Sequence, residues 1–444
     1  MENRSFPGID RTDAASTSMK EQTSAFMRRA GGWVLASFLF LIPFSVAAVE
    51  MTFPILLILW LLGWKRPFSR KQGQGIPSGN QKVFWFLGLY IAICAISVVT
   101  SSFRKLSLTG YIGKTLEYAL MFAIAADLVD QPQACRRAVR ALLAAVGLVV
   151  CYALLQEWAI YRYHTLHQAM AADPIRGHIL DYARMVGPYK NPNDLATFLM
   201  FTGLVAAGWL LRPPAGGRVS TVVLFLTALV AGCLIWTQSL GAMLGLFGGL
   251  VFLGVVHRKS RKILFGLTGL TVAASVVFLV LSPDALQKIM TLSDVASKDR
   301  LSMWVTAWTM IVDHPIWGHG LNTFMANYCR YAIDAGRNPA YAHNCFLQIT
   351  AETGIVGLIT FLLFLTGSGR LIWSALNTRI VQPNAEEPAL RAALEGISAA
   401  LLAFLIQSAF DTNFYALRQA ALFWTLGGTA VGMSSRLIRL KTPP

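Results

Sequence analysis

Long apolar runs with almost no charged residues constrain this sequence more than any other feature. Four of them are 141–160, 219–236, 266–281 and 355–366. A helix that crosses a bilayer needs about 20 such residues. Only 14% of the 444 residues are charged, whereas a typical soluble domain carries about 25%. Because the alternating pattern of a β-barrel is absent, the sequence predicts an all-α polytopic membrane protein.

The basic residues are distributed as a membrane topology requires. The net charge of +16 would also suit a nucleic-acid-binding protein. Here, however, the basic clusters adjoin the ends of apolar runs, at 28–29, 65–71, 136–140, 258–262 and 436–441. The positive-inside rule expects this of cytoplasmic segments. We therefore expect contacts with membrane lipids and no nucleic-acid partner.

The alternation of apolar runs and basic clusters predicts about twelve transmembrane helices. The predicted spans are 33–49, 51–64, 83–100, 111–128, 140–160, 193–211, 219–236, 240–256, 263–281, 346–368, 392–410 and 419–434. An even number leaves both termini on the cytoplasmic side of a bacterial inner membrane. We expect a poorly ordered cytoplasmic tail over 1–30, one transmembrane domain over 31–434 and a cytoplasmic tail over 435–444.

Two predicted external segments, about 161–192 and about 282–345, are too long to be simple turns. In the larger one, apolar residues recur at helical spacing, at positions 301, 304, 305, 308, 311 and 312. Ser297 or Asp299 is suited to cap such a helix, and Pro315 is suited to end it. The pattern predicts an amphipathic helix that lies on the outer face.

Three polar stretches in these segments are candidates for chemistry. In the first, Arg184 and Lys190 accompany Asn191 and Asn193, which flank a proline. Such a sequence is typical of turns, and Asn193 or Asp194 is suited to cap the following helix. The same cations and amides also suit an anion site at the membrane surface, so both interpretations stay open.

The second stretch begins with Arg300 and continues to Gly318 and Gly320, which suit a sharp backbone bend. Arg300 could pair with Asp299 or Asp313 in a surface interaction worth under about 1 kcal/mol. Its guanidinium is equally suited to bind a phosphate group with two parallel hydrogen bonds.

The third stretch contains His343, Asn344 and Glu352, where the larger loop meets an apolar span. A lone histidine is more often structural than catalytic. An ionisable residue two turns into an apolar span, however, is expensive and normally has a partner or a task. Together these three residues favour a functional site.

These stretches resemble the O-antigen ligase and polymerase superfamily. Its shared signature is similar to the series Arg300, Trp304, Ala307, Pro315, Gly318, Gly320, Phe324, Tyr328, His343, Asn344, Leu347, Glu352, Gly354 and Gly357. Residues 187–193, with Ala196, are similar to its other recurring segment. The layout of twelve spans with a large external loop before the third-last span is similar too.

The resemblance implies a glycosyltransferase that takes a glycan from an undecaprenyl diphosphate carrier on the periplasmic face. In a ligase, the acceptor is a sugar hydroxyl of lipid A-core. His343 would be the base for that hydroxyl, Arg300 would stabilise the departing diphosphate, and direct displacement would invert the anomeric carbon. Further substrate-binding candidates are Arg184, Lys190, Asn191, Asn193 and Asn344, and supporting candidates are Glu352, Gly318, Gly320 and Tyr328.

One position departs from the family pattern. After Thr237-Gln-Ser, many members have arginine, whereas this chain has Leu240. We therefore expect the basic site to draw on other external cations instead, among them Arg104, Lys105 and Arg418.

Several alternatives remain open at this stage. The chain could be an O-antigen polymerase or an O-oligosaccharyltransferase, although its short C-terminal segment favours a ligase. A flippase or secondary transporter, with Glu352 as coupling site, is a more remote alternative. His314, His319 and His343 share one loop, but their spacing matches no strong zinc pattern, and we expect no metal or other cofactor in the reaction. Cys329 and Cys345 could form a disulfide.

Overall fold

The computed structural model describes most of the chain. The described residues are 11–63, 78–129, 132–167, 184–212, 221–257, 262, 266, 269, 300–332, 341–378 and 387–440. All regular secondary structure among them is helical, which confirms the predicted all-α class.

The first half of the chain forms eight α-helices before residue 240. These are α1 (Arg11–Leu41), α2 (Val46–Gly63), α3 (Ser78–Thr100), α4 (Arg104–Gly110), α5 (Glu117–Leu128), α6 (Pro132–His167), α7 (Pro192–Leu211) and α8 (Thr221–Trp236). A π-helical turn, Tyr111–Leu116, joins α4 to α5.

The second half adds six more helices in the described part of the chain. These are α9 (Leu240–Val256), α10 (300–313), α11 (Phe324–Tyr331), α12 (Cys345–Leu376), α13 (Glu387–Ser408) and α14 (Leu417–Arg439). A short 3-10 turn, Asn413–Tyr415, lies between α13 and α14.

Six of the described helices are long and apolar enough to cross a membrane: α2, α3, α6, α7, α12 and α13. Two more, α8 and α9, are apolar but shorter. The predicted count of twelve spans is therefore not confirmed. The predicted span 263–281 lies outside the described residues except at 266 and 269.

Two predicted boundaries differ from the structure. Residues 11–30, predicted as a poorly ordered tail, form the first part of α1. The predicted first span 33–49 is broken around Pro43, because proline cannot continue the helix, and α2 begins at Val46.

The helices pack closely where small residues let backbones approach. An added Cβ at Gly208 would lie 2.6 Å from Ala392 O, and one at Gly396 would lie 2.8 Å from Val205 Cα. Both contacts join α7 to α13. Such small-residue contacts are typical of membrane helix interfaces, and they place the ends of α7 and α13 side by side.

The helix predicted in the large loop is present as α10, and it ends before Pro315 as expected. Thr306, Ala307 and Met310 are its buried residues. Its apolar residues Leu301 and Trp308 are instead exposed. An apolar face that points away from the protein is typical of a helix that lies at a membrane surface.

Helix α12 is interrupted at Gly354, which has φ +71° and ψ 179°. The loop after α10 fits into this break: Ile355 N donates to Pro315 O (2.8 Å), and Gly320 N donates to Glu352 O (2.9 Å). A Cβ at Gly354 would lie 1.9 Å from Ile316 O. The break thus fixes the loop 315–324 against α12.

Gly354→Ala should therefore destabilise the protein by more than about 1 kcal/mol, since alanine meets both a clash and an unfavourable positive φ. Gly369→Ala is the matched control, because a Cβ added at Gly369 in the same helix would meet no neighbouring heavy atom within 4 Å. It should be neutral or stabilising by up to about 1 kcal/mol. Thermal unfolding in detergent compares the two. Equal unfolding temperatures would show that the break does not need glycine.

Candidate active site

His343 lies directly before α12 and faces an acid on another segment. Its Nδ1 is 3.8 Å from Asp411 Oδ1, in the turn after α13. The side chain of His343 is 33% exposed and that of Asp411 is 12% exposed. The Nδ1 edge of the imidazole therefore lies near a carboxylate, and the side chain as a whole remains partly accessible. The acid beside His343 is thus Asp411, whereas the sequence analysis grouped His343 with Glu352.

Arg184 lies near this pair, and Arg300 lies near Arg184. Arg184 Nε donates to Thr237 O (2.7 Å), and its Nη2 donates to Asn193 Oδ1 (2.8 Å). Burial, and after it the positive charge of Arg300, lower the pKa of Arg184, whereas the negative charge of Asp411 raises it. Arg184 stays charged at neutral pH all the same. Arg184 is thus close enough to both Arg300 and Asp411 for their charges to affect it.

Glu352 is 1% exposed and lies at the centre of a second polar group. Its carboxylate accepts hydrogen bonds from Asn322 N (2.9 Å), Phe324 N (3.2 Å), Gln348 Nε2 (3.3 Å) and Tyr415 OH (3.1 Å). Buried polar groups are stable when their hydrogen bonds are made. Glu352 therefore connects the loop 318–324, α12 and the turn that follows Asp411.

Lys114 belongs to this group, although it lies far away in sequence. Its Nζ donates to Asn322 Oδ1 (2.7 Å) and is 5.7 Å from the centroid of the Tyr415 ring. Lys114, Asn322, Glu352 and Tyr415 line a small cavity of about 50 Å³. Since the Tyr415 ring lies 5.7 Å from that of Tyr341, the cavity is close to the segment that carries His343.

The backbone at this end of the helices is strained at three points. Gln238, Asn322 and His343 are the non-glycine residues of the described chain with positive φ, at 54°, 61° and 49°. Such conformations cost of order 1–3 kcal/mol each and tend to cluster at functional sites. Each of the three is next to, or part of, the polar groups described above, which supports a site here.

Other predicted residues have mainly structural contacts. Asn191 accepts from Asn193 N (2.8 Å) and caps α7. Asn344 caps α12 by accepting from Phe346 N (3.0 Å) and Leu347 N (3.1 Å). Asn193 positions Arg184, and Lys190 is exposed.

The remaining predicted cations differ in their surroundings. Arg418 donates to Pro43 O (2.8 Å) and stacks 4.0 Å from the Tyr189 ring centroid. Arg418, on α14, therefore contacts the turn after α1 and the loop before α7. Arg104 and Lys105 are exposed on α4. In the part of the chain that the structure describes, no hydrogen bond or ion pair connects either of them to His343.

The supporting residues lie where the loop meets α12. Gly318 and Gly320 have φ of +66° and +109°, and a Cβ there would lie 2.4 Å from Glu352 C and 2.1 Å from Ser101 Oγ, respectively. Tyr328 is buried beneath α10. Glycine is required at 318 by the close approach of the α12 backbone and at 320 by the side chains of Ser101 and Ser107.

Asp411, Lys114 and Tyr415 were not predicted as site residues. Asp411 directly follows the predicted span 392–410, and Lys114 lies in the first turn of the span 111–128. An ionisable residue at the junction of a span and its outer loop is part of the signal that favours His343. The same signal, applied to these junctions, would have found Asp411 and Lys114.

The three loop histidines do not form one group. The rings of His314 and His319 lie 4.3 Å apart, whereas His343 faces Asp411. The suggested disulfide is not formed, because Cys329 is exposed and Cys345 is buried, with its Sγ donating to Asp411 O (3.1 Å).

Fold and site together define an all-helical membrane protein with a cationic, histidine-containing site at one end of its helices. Residues 223–362 match the family model described as O-antigen ligase. A protein of Rickettsia conorii, provisionally named a polysaccharide ligase, is 30% identical over 162 residues. That match covers 33% of this chain and 38% of the relative's length. The predicted resemblance to an O-antigen ligase-like family is confirmed.

Proposed function

We propose that the protein is an O-antigen ligase of the bacterial inner membrane. It transfers a glycan from undecaprenyl diphosphate to a sugar hydroxyl of lipid A-core, with both termini cytoplasmic and the site at the periplasmic face. The observation that carries this proposal is the approach of His343 to Asp411 at one end of apolar helices, with Arg184 near both Asp411 and Arg300. The family match over residues 223–362 includes His343 and Arg300.

The reaction is a single displacement at the anomeric carbon. The acceptor oxygen forms a bond to this carbon as its proton passes to His343, and the bond from carbon to diphosphate oxygen breaks. The diphosphate leaves with the electron pair. Asp411, 3.8 Å from Nδ1, favours the tautomer with its proton on Nδ1, which leaves Nε2 free to accept the proton of the hydroxyl.

The arginines stabilise the charge that develops on the leaving group. Arg184 is held in place by Thr237 O and Asn193 Oδ1, so its orientation requires little rearrangement during the reaction. Preorganised cations in a water-poor site stabilise a developing anion more than mobile ones do. The Glu352 group supports the site by fixing the turn that follows Asp411. That the reaction needs no metal stays a prediction.

A glycan-transfer assay with three alternative acceptors tests the proposed function. Purified protein in liposomes receives one lipid-linked polysaccharide donor and, in parallel reactions, lipid A-core, a lipid-linked repeat unit or a protein. We expect glycan transfer to lipid A-core. Elongation of the repeat unit would indicate a polymerase, transfer to protein would indicate an oligosaccharyltransferase, and either result would overturn the ligase proposal.

The role of Asp411 gives a separate prediction. Asp411→Asn keeps the side-chain shape but removes the charge that orients His343, so kcat should fall on the order of 10–100-fold with little change in KM. The control is Asp127→Asn, which removes a carboxylate that pairs with Arg28 on α1. This variant should keep the wild-type kcat. An unchanged kcat for Asp411→Asn would remove Asp411 from the mechanism.

A further inference from the structure

A second histidine-containing cluster lies at the end of α10. Asp313, His314 and His319 each offer one ligand atom, and these atoms all lie within 4.8 Å of one another. His314 Nε2 is 3.6 Å from Asp313 Oδ2. Two ligands of one tetrahedral ion, each bound at about 2.0 Å, are roughly 3.3 Å apart. The cluster is therefore close to the size that one metal ion requires.

The backbone brings these three residues together. Asp313 is the last residue of α10, and a tight turn follows, in which Gly318 N donates to His314 O (3.1 Å). His319 N then donates to Ala351 O (3.0 Å) on α12. Since both ends of the turn are fixed by hydrogen bonds, the cluster is preorganised rather than formed by flexible side chains.

The hydrogen bonds around the cluster leave its ligand atoms available. His319 is 8% exposed, and its Nε2 lies 3.0 Å from Met310 O. Donation to this carbonyl places the proton on Nε2, so the lone pair of Nδ1 is free for a metal. Metal-binding histidines usually donate their other ring N–H in this way. Tyr331 OH donates to Asp313 Oδ2, which orients the carboxylate as a further outer contact.

We propose that Asp313, His314 and His319 bind a divalent transition-metal ion, with zinc as the best fit. Two imidazoles and one carboxylate form a donor set that suits Zn²⁺, Cu²⁺ or Ni²⁺, whereas Mg²⁺ and Ca²⁺ prefer oxygen ligands. Three protein ligands leave a fourth position for water. An ion at this position ties the end of α10 to the loop whose backbone donates to Glu352.

Cobalt binding tests this site in the full-length purified protein, which must carry no polyhistidine tag. Co²⁺ is added to saturation and followed by its visible absorption, and Zn²⁺ is then added as competitor. We expect one equivalent of Co²⁺ to bind and to be displaced by Zn²⁺. His314→Ala and Asp313→Asn should each raise the dissociation constant at least about 10-fold. Both side chains are exposed, so these replacements leave the core packing intact.

His257→Ala is the matched control, because it removes an imidazole that pairs with Glu395, far from α10 along the chain. It should bind Co²⁺ as tightly as the wild type. Zn²⁺ should also raise the unfolding temperature of the wild type and of His257→Ala, but not that of His314→Ala. Absence of saturable binding in the wild type, or unchanged binding in His314→Ala, would overturn the proposal.

Discussion

Replacement of His343 by alanine should lower the rate of glycan transfer by about 10²–10⁴-fold. The imidazole is the group that takes the proton of the acceptor hydroxyl, and its Nδ1 lies 3.8 Å from the carboxylate of Asp411. KM for the donor should change little, because the diphosphate is bound by the arginines. Initial rates at saturating donor, measured with the purified variant in liposomes, give the result.

The comparison needs a variant that loses a histidine without touching the site. His257→Ala serves here as well, and it should keep the wild-type rate. Because His343 is in a strained backbone conformation, with φ of 49°, its replacement could also alter folding, and the unfolding temperature is measured in parallel. A His343→Ala variant that is folded and fully active would refute the role of His343 as base.

Loss of the Arg300 guanidinium should have the second largest effect, with kcat lowered by about 10²–10³-fold in Arg300→Ala. The charge on the leaving diphosphate grows as its bond to the sugar breaks, and Arg300 lies close enough to Arg184 for their charges to interact. Arg300→Lys should recover only part of the rate, since lysine keeps the charge but cannot bind two phosphate oxygens in one plane.

Arg330→Ala is the matched control for this experiment. Arg330 is exposed on α11, and it stacks on the Tyr331 ring at 5.5 Å. It should retain the wild-type kcat. Equal rates for Arg300→Ala and Arg330→Ala would show that Arg300 contributes no specific stabilisation. Full recovery by lysine would show that charge alone is required, without the paired hydrogen bonds.

Much of the fold could be predicted from the sequence, because a helix that crosses a lipid bilayer must be a long apolar run. Helices α2, α3, α6, α7, α12 and α13 coincide with long apolar runs. The wrong predictions lie in segments that combine apolar and polar residues. The break at Pro43 and the helical course of residues 11–30 depend on local hydrogen bonding and packing, which hydropathy does not measure.

The site was predicted less completely than the fold. His343, Arg300, Arg184 and Glu352 were found because their segments show polar patterns and resemble a family signature. Asp411 was missed because its role depends on a contact with a segment 68 positions earlier. Lys114 was missed for the same reason, since its partner Asn322 lies 208 positions away. The position at the end of a span marks such a residue in the sequence, but its partner is set by helix packing and leaves no local pattern.

Helix-capping residues were also difficult to distinguish from substrate-binding residues in the sequence. Asn191 and Asn344 lie beside the candidate site, and both have polar side chains that suit either role. Their side chains accept hydrogen bonds from backbone N–H groups at the starts of α7 and α12, which accounts for asparagine at these positions. Proximity in sequence to a functional residue is thus a weak guide to function at a helix start.

The central claim is that the glycan passes directly from diphosphate to acceptor at the site of His343 and the two arginines. The most direct test is the anomeric configuration of the new bond, determined by nuclear magnetic resonance on the capped lipid A-core made from a donor of defined configuration. A single displacement inverts the anomeric carbon, so we expect the opposite configuration in the product. Retention would require a covalent intermediate or a second displacement, and it would contradict the proposed mechanism.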